Sequence, residues 1–78
     1  MPKRVIDGFE VYVYLRGELG HRPHVHVFGS SGEVVVLLDP VTERETRGMK
    51  VNERRRAVRA VRDHREELMD LWRQYHGD

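Results

Sequence analysis

The sequence lacks cysteine, long apolar runs and a strong overall charge. Without cysteine it has no disulfide and no thiolate for zinc, which suits a reducing compartment, so we expect a cytoplasmic protein. No apolar run approaches the ~20 residues of a membrane helix, and we expect no membrane association. A chain of 78 residues makes one small domain, residues 1–78, with a thin core. A homodimer would add to that core.

The net charge of +1 hides an uneven distribution along the chain. Residues 42–65 carry nine basic and four acidic side chains, whereas residues 66–78 carry one basic and four acidic. Most of the basic excess is an arginine cluster, formed by Arg54, Arg55, Arg56, Arg59, Arg62 and Arg65. Its first three members fall where a helix would begin, and there the helix dipole disfavours cations. The cluster therefore indicates binding to nucleic-acid phosphate or to an acidic partner, or else a solvated arginine face.

Three stretches have the character of β-strands. Residues 9–15 alternate between apolar and polar side chains, and the turn signal Asp7-Gly8 precedes them. Residues 24–28 and 33–38 are rich in valine and are joined by Gly29-Ser30-Ser31-Gly32, a typical hairpin connection. These patterns predict a three-stranded antiparallel β-meander with strands at about 9–15, 24–28 and 33–38.

The C-terminal third has helical periodicity. Residues 41–51 are polar and are predicted to be a connection, in which Thr42 and Glu45 suit a capping box for one helical turn. After Asn52, a favourable N-cap, the core positions recur at steps of three and four. These positions are Ala57, Val61, His64, Leu68, Leu71 and Tyr75. We predict one long helix over about 53–76, which packs on the meander and gives an α+β fold.

His24 and His26 are the candidate catalytic residues. In a strand they share one face and lie about 6.6 Å apart, which suits an acid and a base on either side of a phosphate. A second interpretation is a metal site that His21, His64 or Asp39 completes. A third is that both rings are spacers with ordinary hydrogen bonds. The spacing alone does not decide, and the sequence assigns no metal site and no cofactor.

The face that carries these histidines is rich in rings. If the valines of the first two strands face the core, then Tyr12, Tyr14, His24, His26 and Phe28 lie together on the opposite side. One helix covers only one side of a sheet, so we expect this ring-lined face to stack nucleobases or to pack against a protein partner. The predicted nucleic-acid-binding residues are Tyr12, Tyr14, Arg55, Arg59 and Arg62.

Several segments together resemble a known bacterial family, the domain of unknown function 4160. They are Gly8-Phe9, Pro23-His24-Val25-His26-Val27, the region of Gly48, and His64-Arg65-Glu66-Glu67-Leu68 followed by Trp72. The resemblance covers nearly the whole chain in order. It establishes no activity and no catalytic residue, but it implies that His24 and His26 matter.

The resemblance also implies an association with toxin–antitoxin pairs. We therefore expect a toxin-like endoribonuclease, with His24 and His26 as acid and base and with a small cognate antitoxin as partner. The alternatives are a module that binds protein or nucleic acid without chemistry, and a His-x-His metal site.

Overall fold

The first hairpin is set by the Asp7-Gly8 turn. The structure, a computed structural model, describes residues 2–14 and 22–76. Strand β1 (Lys3–Ile6) pairs antiparallel with β2 (Phe9–Tyr12) through the register Ile6 to Phe9. Asp7 and Gly8 have φ values of 52° and 85°. Two consecutive positive φ values are typical of the type I′ turn, whose twist matches that of a two-residue hairpin.

The centre of the sheet is the valine-rich hairpin. Strand β3 (His24–Phe28) pairs antiparallel with β2 and with β4 (Glu33–Leu38). Val25 lies opposite Val36 and Val27 opposite Val34, and none of these four side chains is exposed to solvent. The predicted first strand is shorter than expected, since β2 ends at Tyr12 and Leu15 lies outside the described residues.

The segment predicted as a polar connection contains a strand instead. Strand β5 (Val41–Arg47) pairs antiparallel with β4, with a β-bulge opposite Val35 and Val36. Most of its side chains are exposed, so it lacks the apolar alternation that signals a strand. The Thr42 hydroxyl donates to the Pro40 carbonyl rather than capping a helical turn. An edge strand with charged side chains is a common protection against unwanted pairing.

The predicted single helix is two helices, α1 (Val51–Asp63) and α2 (Arg65–His76). They meet at His64, whose φ of −118° and ψ of 24° interrupt the helix. His64 Nδ1 lies 3.0 Å from the Ala60 carbonyl oxygen, so the side chain competes for a backbone acceptor at the break. A straight helix over residues 51–76 would be about 39 Å long. The longest dimension of the described fold is 33 Å, so the break keeps both halves on one core.

The predicted three-stranded meander with one long helix is therefore wrong. In the described parts of the chain the sheet has five antiparallel strands in the order β1-β2-β3-β4-β5, and two helices pack against it. The core lies between the helices and the face of the sheet that carries the valines. It is formed mainly by Phe9, Val11, Val13, Val25, Val27, Val34, Val36, Leu38, Ala57, Val61, Leu68, Leu71 and Trp72. The face that carries His24 and His26 is the opposite one, as the alternation of β3 requires.

Candidate functional site

The structure brings His24 and His26 together on one face of β3. His24 lies opposite Leu37 and His26 opposite Val35 in the neighbouring strand. The two ring centroids are 5.4 Å apart, with an angle of 64° between the planes. Both rings are buried, at 1% and 3% exposure. The predicted shared face is present, but the pair is not open to solvent as an acid–base site on a polymer would have to be.

Each imidazole has a hydrogen bond at Nδ1. His24 Nδ1 lies 2.9 Å from the Arg22 carbonyl oxygen, and His26 Nδ1 lies 2.9 Å from Oε2 of Glu33. A carbonyl and a carboxylate only accept, so Nδ1 is the donor in both rings. For His26 this leaves the Nε2 lone pair available when the ring is neutral, as in a carboxylate-oriented base. That atom is buried, and nothing in residues 2–14 and 22–76 hydrogen-bonds to it.

Aromatic rings close the site on two sides. Tyr14 stacks on His26 with centroids 3.8 Å apart, while Trp72 of α2 lies 5.1 Å from His24. Trp72 also stacks on His76 at 3.6 Å, and His76 Nε2 lies 2.6 Å from the Tyr14 carbonyl oxygen. These ring contacts connect the end of α2 with Tyr14, which follows β2 in the chain. Tyr14 and the end of α2 therefore help to bury His24 and His26.

A metal site at these histidines finds little support. Among the residues that the structure describes, no group of three or more histidine, aspartate or glutamate side chains is placed to bind a metal ion. His64 is engaged with Ala60, and Asp39 lies 3.3 Å from Arg65. His21, the remaining candidate ligand, lies outside the described residues.

The predicted arginines do converge on one surface. A groove of about 580 Å³ runs between α1 and β5, and we call it the arginine groove. It is lined by Glu43, Arg54, Arg55, Arg56, Val58, Arg59 and Arg62. Arg54 is paired with Glu43 at 2.9 Å. None of the other four arginines forms an ion pair with a carboxylate of the described residues.

The predicted nucleic-acid-binding residues are split between two surfaces. Tyr12 and Tyr14, with Glu10 and Phe28, line an open depression of about 310 Å³, which we call the aromatic depression. Tyr12 lies opposite His26 in the register, on the face of the sheet away from α1. The arginine groove lies on the side of α1. A short, straight nucleic-acid segment therefore cannot contact Tyr12 and the two arginines Arg55 and Arg59 at the same time.

One ionised group escaped the sequence analysis. Glu53 is 8% exposed, and its carboxylate accepts hydrogen bonds from the backbone N–H and the hydroxyl of both Ser30 and Ser31. The hydroxyl and backbone donors lower the pKa of Glu53 to about 2. The sequence does show an acidic residue, Glu53, near a helix start and two serines in a hairpin turn. It gives no sign that they meet, because they are more than twenty residues apart.

This geometry defines the class of the protein: a small α+β protein with a groove lined by five arginines and with a buried pair of histidines. The sequence model described as Domain of unknown function (DUF4160) matches residues 8–73. The chain therefore belongs to the DUF4160 family. Comparisons with curated proteins and with solved structures give no match. Within the described residues, neither helix is long and apolar enough to cross a membrane.

Proposed function

We propose that this protein binds RNA through the arginine groove. The supporting observation is the set of four guanidinium groups without a carboxylate partner among the described residues, Arg55, Arg56, Arg59 and Arg62. Because α1 begins at Val51, these arginines lie beyond its first turn, and Arg62 lies in its last turn, where the helix dipole favours a cation. A bound anion would neutralise the charge that these guanidinium groups present at the groove.

The spacing of the arginines suits a chain of phosphates. Arg55, Arg59 and Arg62 follow the i, i+4, i+7 pattern, so they share one side of α1 and span about 10 Å along its axis. A guanidinium group donates two parallel hydrogen bonds to a phosphate and stays charged at every relevant pH. A row of three such groups makes a track rather than a single anion site.

The composition of the arginine groove favours nucleic acid over an acidic protein. Val58 is its one apolar lining residue, and Glu43 is already paired with Arg54. Protein–protein interfaces usually have an apolar centre that is depleted in charge. Contacts to a phosphate backbone need only positive charge and hydrogen-bond donors, and they carry no sequence information. We therefore expect binding with little dependence on base sequence.

Binding to a fluorescein-labelled single-stranded RNA, measured by fluorescence anisotropy, tests this proposal. The variant Arg55→Gln, Arg59→Gln, Arg62→Gln removes three charges from the groove. A matched control, Arg4→Gln, Arg47→Gln, Arg73→Gln, removes the same net charge from three exposed arginines elsewhere. We expect at least about a tenfold loss of affinity in the first variant and about twofold in the control. Equal losses in both would show only non-specific attraction and would refute a binding groove.

RNA cleavage by a toxin-like protein is the second candidate function. The observation in its favour is the hydrogen bond between His26 and Glu33, which presents Nε2 of His26 as a base. Its obstacle is burial, since a phosphodiester reaches neither ring without movement of the side chains that pack on them, such as Tyr14 and Trp72. Cleavage is therefore secondary to binding in our proposal, as is assembly with an antitoxin.

The cleavage proposal needs variants that preserve packing. An alanine at His26 would leave a cavity, so loss of activity would report unfolding as well as chemistry. Glu33→Gln and His26→Gln keep more of the volume, and a thermal melt checks that each is folded. If cleavage occurs at the pair, both variants lose RNA degradation on gels and lose growth arrest when expressed in bacteria. Degradation or arrest that survives in folded variants would exclude these residues.

A further inference from the structure

The aromatic depression is lined by three aromatic rings and one carboxylate, a combination that suits a cation. The rings of Tyr12 and Phe28 are 5.4 Å apart and nearly perpendicular, at 87°. Together with Tyr14 they wall the depression, and the exposed carboxylate of Glu10 lies at its rim. Ring faces carry the negative end of the aromatic quadrupole, so several rings around one space attract a positive charge.

The charged groups near the depression also favour the binding of a cation. The Tyr12 hydroxyl donates to Oε1 of Glu10 at 3.1 Å, and this carboxylate raises the pKa of Tyr12. The Nζ atom of Lys3 lies 5.9 Å from the centroid of the Tyr12 ring, so the ring already contacts one cation within the protein. Lys3 does not line the depression, so the ring surfaces of Tyr12 and Phe28 that line it are available to another cation.

We propose that the aromatic depression binds an arginine side chain of a partner protein. A guanidinium group is planar, stacks on an aromatic face and donates two parallel hydrogen bonds to a carboxylate. The depression offers both features, through its rings and through Glu10. This site lies on the opposite side of the sheet from the arginine groove and does not depend on RNA binding.

A nucleobase would also stack on these rings, but its phosphate would not suit the surroundings. Glu10 lines the depression, and its exposed carboxylate repels a phosphate and attracts a guanidinium. The charge around the rings therefore favours a cationic side chain over a nucleotide.

The test is an NMR titration of the full chain with two short capped peptides. One is acetyl-Ala-Arg-Ala-amide, and the other carries citrulline, which is nearly isosteric with arginine but neutral. We expect saturable shifts of the Tyr12 and Phe28 ring resonances with the arginine peptide, and weaker binding of the citrulline peptide. The variants Glu10→Gln and Phe28→Leu should each weaken arginine binding by about two- to fivefold. Circular dichroism shows whether each variant is folded.

Two results would overturn the proposal. One is equal binding of the arginine and citrulline peptides, or the absence of any shift at the two rings, because either shows that positive charge is not recognised. The other is a stronger response of the same rings to an oligouridylate than to the arginine peptide, which would make the depression a base-stacking site. Loss of RNA binding in the arginine-groove variants would leave this proposal unaffected, so the two fail independently.

Discussion

Glu53 accepts the backbone N–H of Ser31 at 2.9 Å, and this contact joins the start of α1 to the β3–β4 hairpin. The same carboxylate accepts the backbone N–H and the hydroxyl of Ser30, and also the hydroxyl of Ser31. The carboxylate therefore binds a turn that lies between two central strands. Because α1 carries the arginine groove, this contact also fixes the position of the groove relative to the sheet.

Because the pKa of Glu53 is low in the folded protein, the free energy of unfolding should fall at acidic pH. Its pKa is about 2 in the folded protein and 4.5 as an ordinary glutamate. The folded state prefers the ionised form, so its stabilising contribution is complete above pH 4.5 and falls as the pH drops toward 2. Urea unfolding of wild type and Glu53→Gln at pH 7 and at pH 2.5 measures this. We expect wild type to be more stable at pH 7 and the difference to shrink at pH 2.5. A difference that is constant with pH would contradict the assignment.

Gly32 has no room for a side chain. A Cβ atom there would lie 2.5 Å from the backbone nitrogen of Met49 and 2.7 Å from the carbonyl carbon of Gly48. These are backbone atoms that cannot turn away, so Gly32→Ala should lower the free energy of unfolding by about 3 kcal/mol. The comparison is Gly29→Ala, whose Cβ would meet the Glu53 carboxyl carbon at 2.7 Å. That side chain can move only by weakening its hydrogen bonds to Ser30 and Ser31, so we expect a loss in Gly29→Ala too, but a smaller one than in Gly32→Ala. A smaller loss in Gly32→Ala than in Gly29→Ala would show that the hairpin is packed differently.

Arg65, which follows the break between the helices, forms contacts with the end of β4. Its Nε donates to the Leu38 carbonyl oxygen at 2.7 Å, and its guanidinium lies 3.3 Å from an exposed Asp39 carboxylate. We expect Arg65→Met to lose about 1–2 kcal/mol, chiefly because the carbonyl loses its donor. Asp39→Asn should lose under about 1 kcal/mol, since an exposed ion pair contributes little. Chemical denaturation of both variants measures the contrast, and equal losses would mean that the ion pair dominates.

The hydrogen bond from His26 to Glu33 predicts one tautomer. When the ring is neutral, the proton should reside on Nδ1, because only that nitrogen faces the carboxylate. Long-range proton–nitrogen NMR correlations at pH 8 distinguish the two tautomers directly. In Glu33→Gln the preference should weaken and the protein should lose about 1–2 kcal/mol of stability. A proton on Nε2 in wild type would show that the ring is oriented by another group.

The central hairpin was the most predictable part of the fold. Strands β3 and β4 combine valine-rich runs with a glycine-serine turn, and every side chain of the valine face is buried. The outer strands were missed for different reasons. The sequence of β1 is only four residues long and two of them are basic, although Asp7-Gly8 between apolar residues is a strong hairpin signal. The charged side chains of β5 point to solvent, so no periodicity distinguishes it from a connection.

The helix break and the burial of the histidines depend on tertiary structure. The apolar steps of three and four continue through His64, so the pattern alone favours one helix. The alternation of β3 correctly placed His24 and His26 on one face. It could not show that Tyr14 and Trp72 pack against them. These two rings are far apart in sequence and meet the histidine pair only in the folded protein.

The salt dependence of RNA binding tests the central claim most directly. The logarithm of the binding constant for single-stranded RNA should fall linearly with the logarithm of salt concentration, with a slope of about −0.7 for each phosphate neutralised. Removing Arg55, Arg59 and Arg62 should make the slope shallower by about 2, while the control at Arg4, Arg47 and Arg73 keeps the wild-type slope. An identical slope in wild type and the groove variant would contradict the account, because those arginines would then contact no phosphate.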